Sequence, residues 1–177
     1  MATTSFDFDV VEITPNKEKL GTFEACESMK NEGWVGGLFV RIQRIQSWRD
    51  GSATRWKRII EPCGDQDPLY FVLRASYEET DHYTAQYPQK TGVITCCVYG
   101  QFLFKYYETL NKAERHNPGS GAPLVYELNM SLFVSENGLL TPEKESPGIL
   151  SRGVGICIGL PEDNLGYVGC EVLVGPW

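Results

Sequence analysis

Residues 41 to 60 hold Arg41, Arg44, Arg49, Arg55, Lys57 and Arg58 against one acid, Asp50, a local formal charge of +5 in a chain whose total is −7. Trp48 and Trp56 lie inside the same stretch. Guanidinium groups hold phosphate oxygens through charge-assisted hydrogen bonds, and an indole ring either stacks on an unpaired base or sits at the headgroup level of a bilayer. The pattern therefore points to a phosphate-bearing partner, either a single-stranded nucleic acid or an anionic membrane surface. Roughly four phosphate contacts on a single strand would give a log-affinity against log-salt slope near −3. The alternative is a solvated strand face whose arginines pair with neighbouring acids and whose tryptophans belong to the core.

Residues able to catalyse are sparse. His82 follows Glu78, Glu79 and Asp81, but neighbours on an extended chain point to different sides and no HExxH spacing is present. His116 precedes Asn117-Pro118-Gly119-Ser120-Gly121, a loop without the lysine of a phosphate-cradling motif. An enzyme or small-ligand module would have to be built round His82, Cys96 or His116. No residue is assigned to catalysis or metal binding, and no cofactor is implied. The acidic N-terminal segment, with Asp7, Asp9 and Glu12, is a candidate complement for the basic stretch of a second copy, a head-to-tail contact that builds rings or filaments.

These groups need a scaffold, and the apolar pattern supplies one. Phe6–Thr14 alternates as a half-buried strand. Phe23–Glu32 has helical spacing, with Thr22 as N-cap and Gly33 as stop. Strands at Leu38–Trp48 and Thr54–Ile60 flank the turn residues Asp50-Gly51, which predicts a hairpin carrying the basic stretch. Leu69–Ser76 and Val93–Tyr99 read as strands either side of a polar loop, 77–92. Phe102–Arg115 fits a helix, yet its first residues pass equally as strand. Leu124–Val134 alternates strongly, Asn137-Gly138 is a turn, and Thr141-Pro142-Glu143 resembles a helix start. Gly153–Leu160 and Gly166–Val174 complete the set. The expected architecture is α+β, a bent and mainly antiparallel sheet with one to three packed helices in one domain spanning 1–177.

Composition agrees with that size of core: 177 residues, 42% hydrophobic and 22% charged, enough to bury an interior without cross-links. No apolar run is long enough to span a bilayer as a helix, and Asp7 and Asp9 stand where a signal peptide would be basic or apolar. The six cysteines include the adjacent Cys96 and Cys97 and no CxxC pair, so they are expected as reduced thiols packed like small hydrophobes. Trp177 is expected either to anchor the chain end or to plug the core.

The order of elements resembles the matrix proteins of rhabdoviruses, especially the short plant-infecting cytoplasmic (cytorhabdovirus) type. The likeness lies in the strand Phe6–Thr14, the run Thr22-Phe23-Glu24-Ala25-Cys26 through Trp34, the strand Gly37–Ser47 and the alternating segment Leu124–Leu132. The resemblance implies a structural, non-enzymatic virion protein of the host cytoplasm. Such a protein self-associates, condenses the viral nucleocapsid and links it to the envelope and glycoprotein tail, with weak or indirect nucleic-acid contact. Animal-virus members carry a basic N-terminal arm and often a PPxY motif, and neither is found here. In their place, Arg41, Arg44, Arg49, Arg55, Trp56, Lys57 and Arg58 become the candidate nucleocapsid or lipid contact. The other reading is a single-stranded RNA-binding protein, such as a viral silencing suppressor, acting through Arg49, Arg55, Trp56 and Arg58.

Overall fold

The computed structural model describes residues 9–13, 19–76, 93–145 and 153–174. Asp7, His82 and Trp177 lie outside them, as does the loop 77–92. Among the described residues the class is α+β, with mainly antiparallel strands and two short helices, as the apolar patterning predicts.

The strands form two layers. One is a closed five-stranded barrel, order β2-β4-β3-β5-β6, made of β2 (Lys19–Ala25), β3 (Phe39–Asp50), β4 (Ala53–Pro62), β5 (Tyr70–Ser76) and β6 (Val93–Cys97). The other is a six-stranded sheet, order β1-β7-β11-β10-β8-β9, made of β1 (Val10–Glu12), β7 (Tyr99–Phe104), β8 (Ser131–Val134), β9 (Leu140–Thr141), β10 (Gly155–Gly159) and β11 (Val168–Leu173). Helix α1 (Glu27–Glu32) follows β2, and α2 (Lys112–His116) follows β7.

The layers meet on aromatic rings. Phe39 and Phe71 of the barrel contact Phe102 and Phe104 of the sheet, with centroids 5.0 to 6.2 Å apart, and all four side chains are fully buried. Edge and tilted ring pairs of this kind add to the energy of simple area burial. Gly138 (φ +78°) lets the β8–β9 turn reach the barrel. Its carbonyl accepts from the Phe39 N–H at 2.8 Å, and a Cβ there would lie 2.7 Å from Leu38 Cδ1. A second core fills the barrel with Phe23, Val40, Ile60, Val72, Ile94 and Cys96, closed by Met29 and Trp34.

Four local expectations are corrected. Phe23–Ala25 continues β2 rather than opening a helix, and Cys26, not Thr22, is the N-cap of α1. Phe23 and Ala25 also satisfy a period of two, and pairing with Arg58–Ile60 decides for the strand because it closes the barrel. In the ambiguous segment 102–115, strand wins up to Phe104 and helix holds only Lys112–His116. Of Leu124–Val134, only Ser131–Val134 pairs as a strand. Asn129 takes a left-handed φ of +69°, and Met130 N–H turns back to the Glu127 carbonyl at 3.3 Å. Thr141-Pro142-Glu143 starts no helix. Thr141 ends β9, and its hydroxyl accepts from Glu143 N–H at 3.1 Å.

A candidate polyanion-binding ribbon

The expected hairpin is present and longer than its neighbours. β3 and β4 pair from Val40↔Pro62 out to Asp50↔Ala53, turning through Gly51, whose φ of +61° is what a primed two-residue hairpin turn requires at its first position. Along the hairpin, β5 pairs only with Phe39 and Val40 of β3, and β2 only with Arg58–Ile60 of β4. The outer half of the hairpin therefore leaves the barrel as a two-stranded ribbon, roughly 20 Å long at the usual rise per residue. Gln43–Arg49 and Gly51–Trp56 are all exposed. A register shift between Ile42 and Arg44 marks a bulge where the ribbon departs, the place at which a strand bends and twists more strongly.

Cross-strand partners share a face of a ribbon. Arg44, Gln46, Trp48, Arg55 and Lys57 fall on one face, and Ile45, Ser47, Arg49, Thr54, Trp56 and Arg58 on the other. Each face thus carries one tryptophan beside arginines. Trp48 and Trp56 are 44% and 66% exposed, so they are not core residues.

The seven residues read from the sequence divide into two groups. Arg41 is bound to Glu61, with Nη2 2.7 Å from Oε1 and Nε donating at 2.8 Å, and Gln43 donates to the other oxygen at 3.1 Å. Lys57 donates to Glu24 at 2.6 Å, and Lys30 reaches the same carboxylate at 2.9 Å. Burial acts to raise the Glu24 carboxyl, but hydrogen bonds from Lys57 and then Lys30 outweigh it and hold it below its ordinary value. Arg58 lies over the Phe23 ring, 3.7 Å from its centroid, a cation–π contact at the base of the ribbon. Arg41 and Lys57 are therefore ion-paired within the fold, at the base of the ribbon. Arg44, Arg49, Arg55 and Trp56 stand exposed on the ribbon, joined by Trp48, which is not among those seven. Counting along the two-residue turn would have found it: every second residue shares a face.

Of the self-association candidates, Asp9 has partners inside the fold. Its carboxylate accepts from Gly36 N–H at 2.9 Å, and its carbonyl accepts from Lys105 N–H at 2.9 Å, so it tethers the start of β1 to the connection between α1 and β3. Glu12 is exposed at the end of β1.

The other chemistry-bearing residues are not brought together. Cys96 is fully buried in the barrel, and burial raises its thiol far above the ordinary range. His116 sits on α2, exposed and hydrogen-bonded to Glu136. None of the six cysteines is in a disulfide and all are buried, as their packing role requires. Among the described residues no cluster of three His, Cys, Asp or Glu side chains could hold a metal ion, and no helix is long and apolar enough to cross a membrane.

Fold and surface together define a mainly antiparallel α+β protein bearing an exposed basic and aromatic β-ribbon. No family model matches the chain, and neither a curated protein nor a solved structure was found to be significantly similar to it.

Proposed function

We propose that this is a non-catalytic binding protein of the viral matrix type, acting in the virion and the host cytoplasm, whose β3–β4 ribbon grips the phosphate-bearing surface of a nucleocapsid. One observation carries the reading: a ribbon with both faces exposed presents Arg44, Arg49 and Arg55 in a chain of net charge −7. Elsewhere the protein's charge repels polyanions, so this is where one would be held. The resemblance of the strand pattern to rhabdovirus matrix proteins supplies the setting, with the envelope, the glycoprotein tail and further copies of the chain as additional partners.

Co-sedimentation with nucleocapsids at low salt tests the reading. The triple reversal Arg44→Glu, Arg49→Glu and Arg55→Glu is expected to abolish binding, and the wild-type interaction to fade as salt rises. Full binding by a folded triple variant would remove the ribbon from the mechanism. Light scattering over a wide concentration range tests the assembly half: matrix behaviour requires growth into large species.

A further inference from the structure

We infer that the ribbon's direct ligand is single-stranded nucleic acid, wrapped round both its faces; the inference rests on the ribbon being the binding site.

The first argument is geometric. Trp48 and Trp56 project from opposite faces of the ribbon, Trp48 with exposed Arg44 and Arg55 and Trp56 with exposed Arg49. A bilayer is a plane, and a plane can engage one of these faces only. A duplex already stacks its bases on one another and presents its outside as a stiff cylinder. A flexible single strand can pass from one face to the other, placing unpaired bases on both indoles while its phosphates meet Arg44 and Arg55 on one side and Arg49 on the other. Side chains two apart on a strand are separated by about 7 Å, of the order of the distance between successive phosphates in an extended strand.

The second argument is topological and independent of side chains. The barrel pairs are β2 with β4, parallel, and β4 with β3, β3 with β5, β5 with β6 and β6 with β2, all antiparallel. An OB barrel has antiparallel pairs between its strands 1 and 2, 2 and 3, 1 and 4, and 4 and 5, with 3 and 5 parallel. Starting such a chain at its third strand and joining its fifth to its first gives every pairing seen here: β2, β3, β4, β5 and β6 take the places of strands 3, 4, 5, 1 and 2. The ribbon then stands where the hairpin between strands 4 and 5 stands in an OB barrel, one of the two connections by which that architecture holds oligonucleotides and oligosaccharides. Fold alone does not assign a ligand. Here the two-faced arrangement of indole and guanidinium selects the nucleic acid.

The test is fluorescence anisotropy of a labelled twelve-nucleotide oligouridine with the full-length protein, against a duplex of equal length, heparin and phosphatidylserine vesicles. The expected result is preference for the single strand by about tenfold or more, with Trp48→Ala and Trp56→Ala each weakening it by about tenfold, the lower range of base-stacking losses. Trp48→Phe and Trp56→Phe are expected to restore most of the affinity, because the ring is kept. Melting curves establish that each variant is folded. Equal binding of oligouridine and heparin, unchanged by loss of either tryptophan but lost on charge reversal, would overturn the single-strand assignment and leave the ribbon as a general polyanion site. Binding dependent on one tryptophan alone would overturn the wrapped arrangement. No binding to any of the four probes would overturn this inference and the ribbon reading together.

Discussion

Trp48 lies opposite Arg55 across the β3–β4 ribbon, and Trp56 opposite Ser47, so the two indoles face away from each other. Each is exposed beyond the edge of the barrel. Their contributions to stability should be small, since neither fills a core, and their contributions to binding should be comparable. Thermal melts of Trp48→Ala and Trp56→Ala are expected to fall within about 1 kcal/mol of the parent protein. A collapse of either melt would reassign that ring to the fold.

Three exposed arginines on the ribbon, rather than six basic residues, set the salt dependence. With roughly three phosphate contacts, the slope of log affinity against log salt on a single strand is expected near −2. A slope steeper than about −4 would show that Arg41, Lys57 and Arg58 leave their internal partners and join the contact.

Glu24 restrains Lys57 and Lys30 through hydrogen bonds of 2.6 and 2.9 Å. Glu24→Gln is expected to release Lys57, leave Lys30 to Glu27 at 3.4 Å, tighten polyanion binding and steepen its salt slope by about one contact. The stability cost should be about 1 kcal/mol or less, because the pair is partly solvated. The folded-state carboxyl lies below its ordinary value of 4.5, so the pair's contribution is complete above that value and is lost as pH falls through the lower, folded one. Glutamine at this position should therefore reduce the difference in stability between neutral and acid solution, measured by urea titration across the pH range.

Arg115 stands among three acids, with Nη2 2.5 Å from Glu145 and 3.5 Å from Glu136, and Nη1 3.6 Å from Glu108. Glu108 is itself buried, accepting from Ser135 Oγ at 2.6 Å and Asn137 Nδ2 at 2.9 Å. Arg115→Met leaves buried carboxylates without their cation and is expected to destabilise the protein by about 3–5 kcal/mol at neutral pH. Chemical denaturation measures this directly. A loss under 1 kcal/mol would mean that the acids relax into water.

The six thiols offer a different check on the core. Burial pushes the Cys63 thiol up to about 12 and raises Cys170 further, so thiolate is scarce at neutral pH. Alkylation by N-ethylmaleimide should be slow in the native protein and reach all six groups after unfolding. Rapid labelling of one native thiol, located by mass spectrometry, would mark a region that opens locally.

What the sequence by itself determined is local. Asp50-Gly51 specified the hairpin, since a turn needing positive φ and two flanking alternating strands are encoded within a few residues. The charge and tryptophan content of residues 41 to 60 named the candidate site. The aromatic and β-branched runs at Leu69–Ser76 and Val93–Tyr99 marked strands, although the second breaks at Val98, where the chain leaves the barrel and Tyr99 opens β7 of the other sheet. Tertiary structure decided the rest. Phe23–Ala25 became strand because a partner, Arg58–Ile60, arrived from more than thirty positions away. Leu124–Met130 stayed irregular because only its last two residues, Asn129 and Met130, meet a strand, through backbone hydrogen bonds with Cys157. Arg41 and Lys57 are ion-paired with Glu61 and Glu24, whereas Arg44 and Arg49 met no acidic partner among the described residues. Alternation tells which residues share a face, but whether that face meets solvent, an acid or a core depends on which strands lie beside it. Those neighbours are set only when the barrel closes.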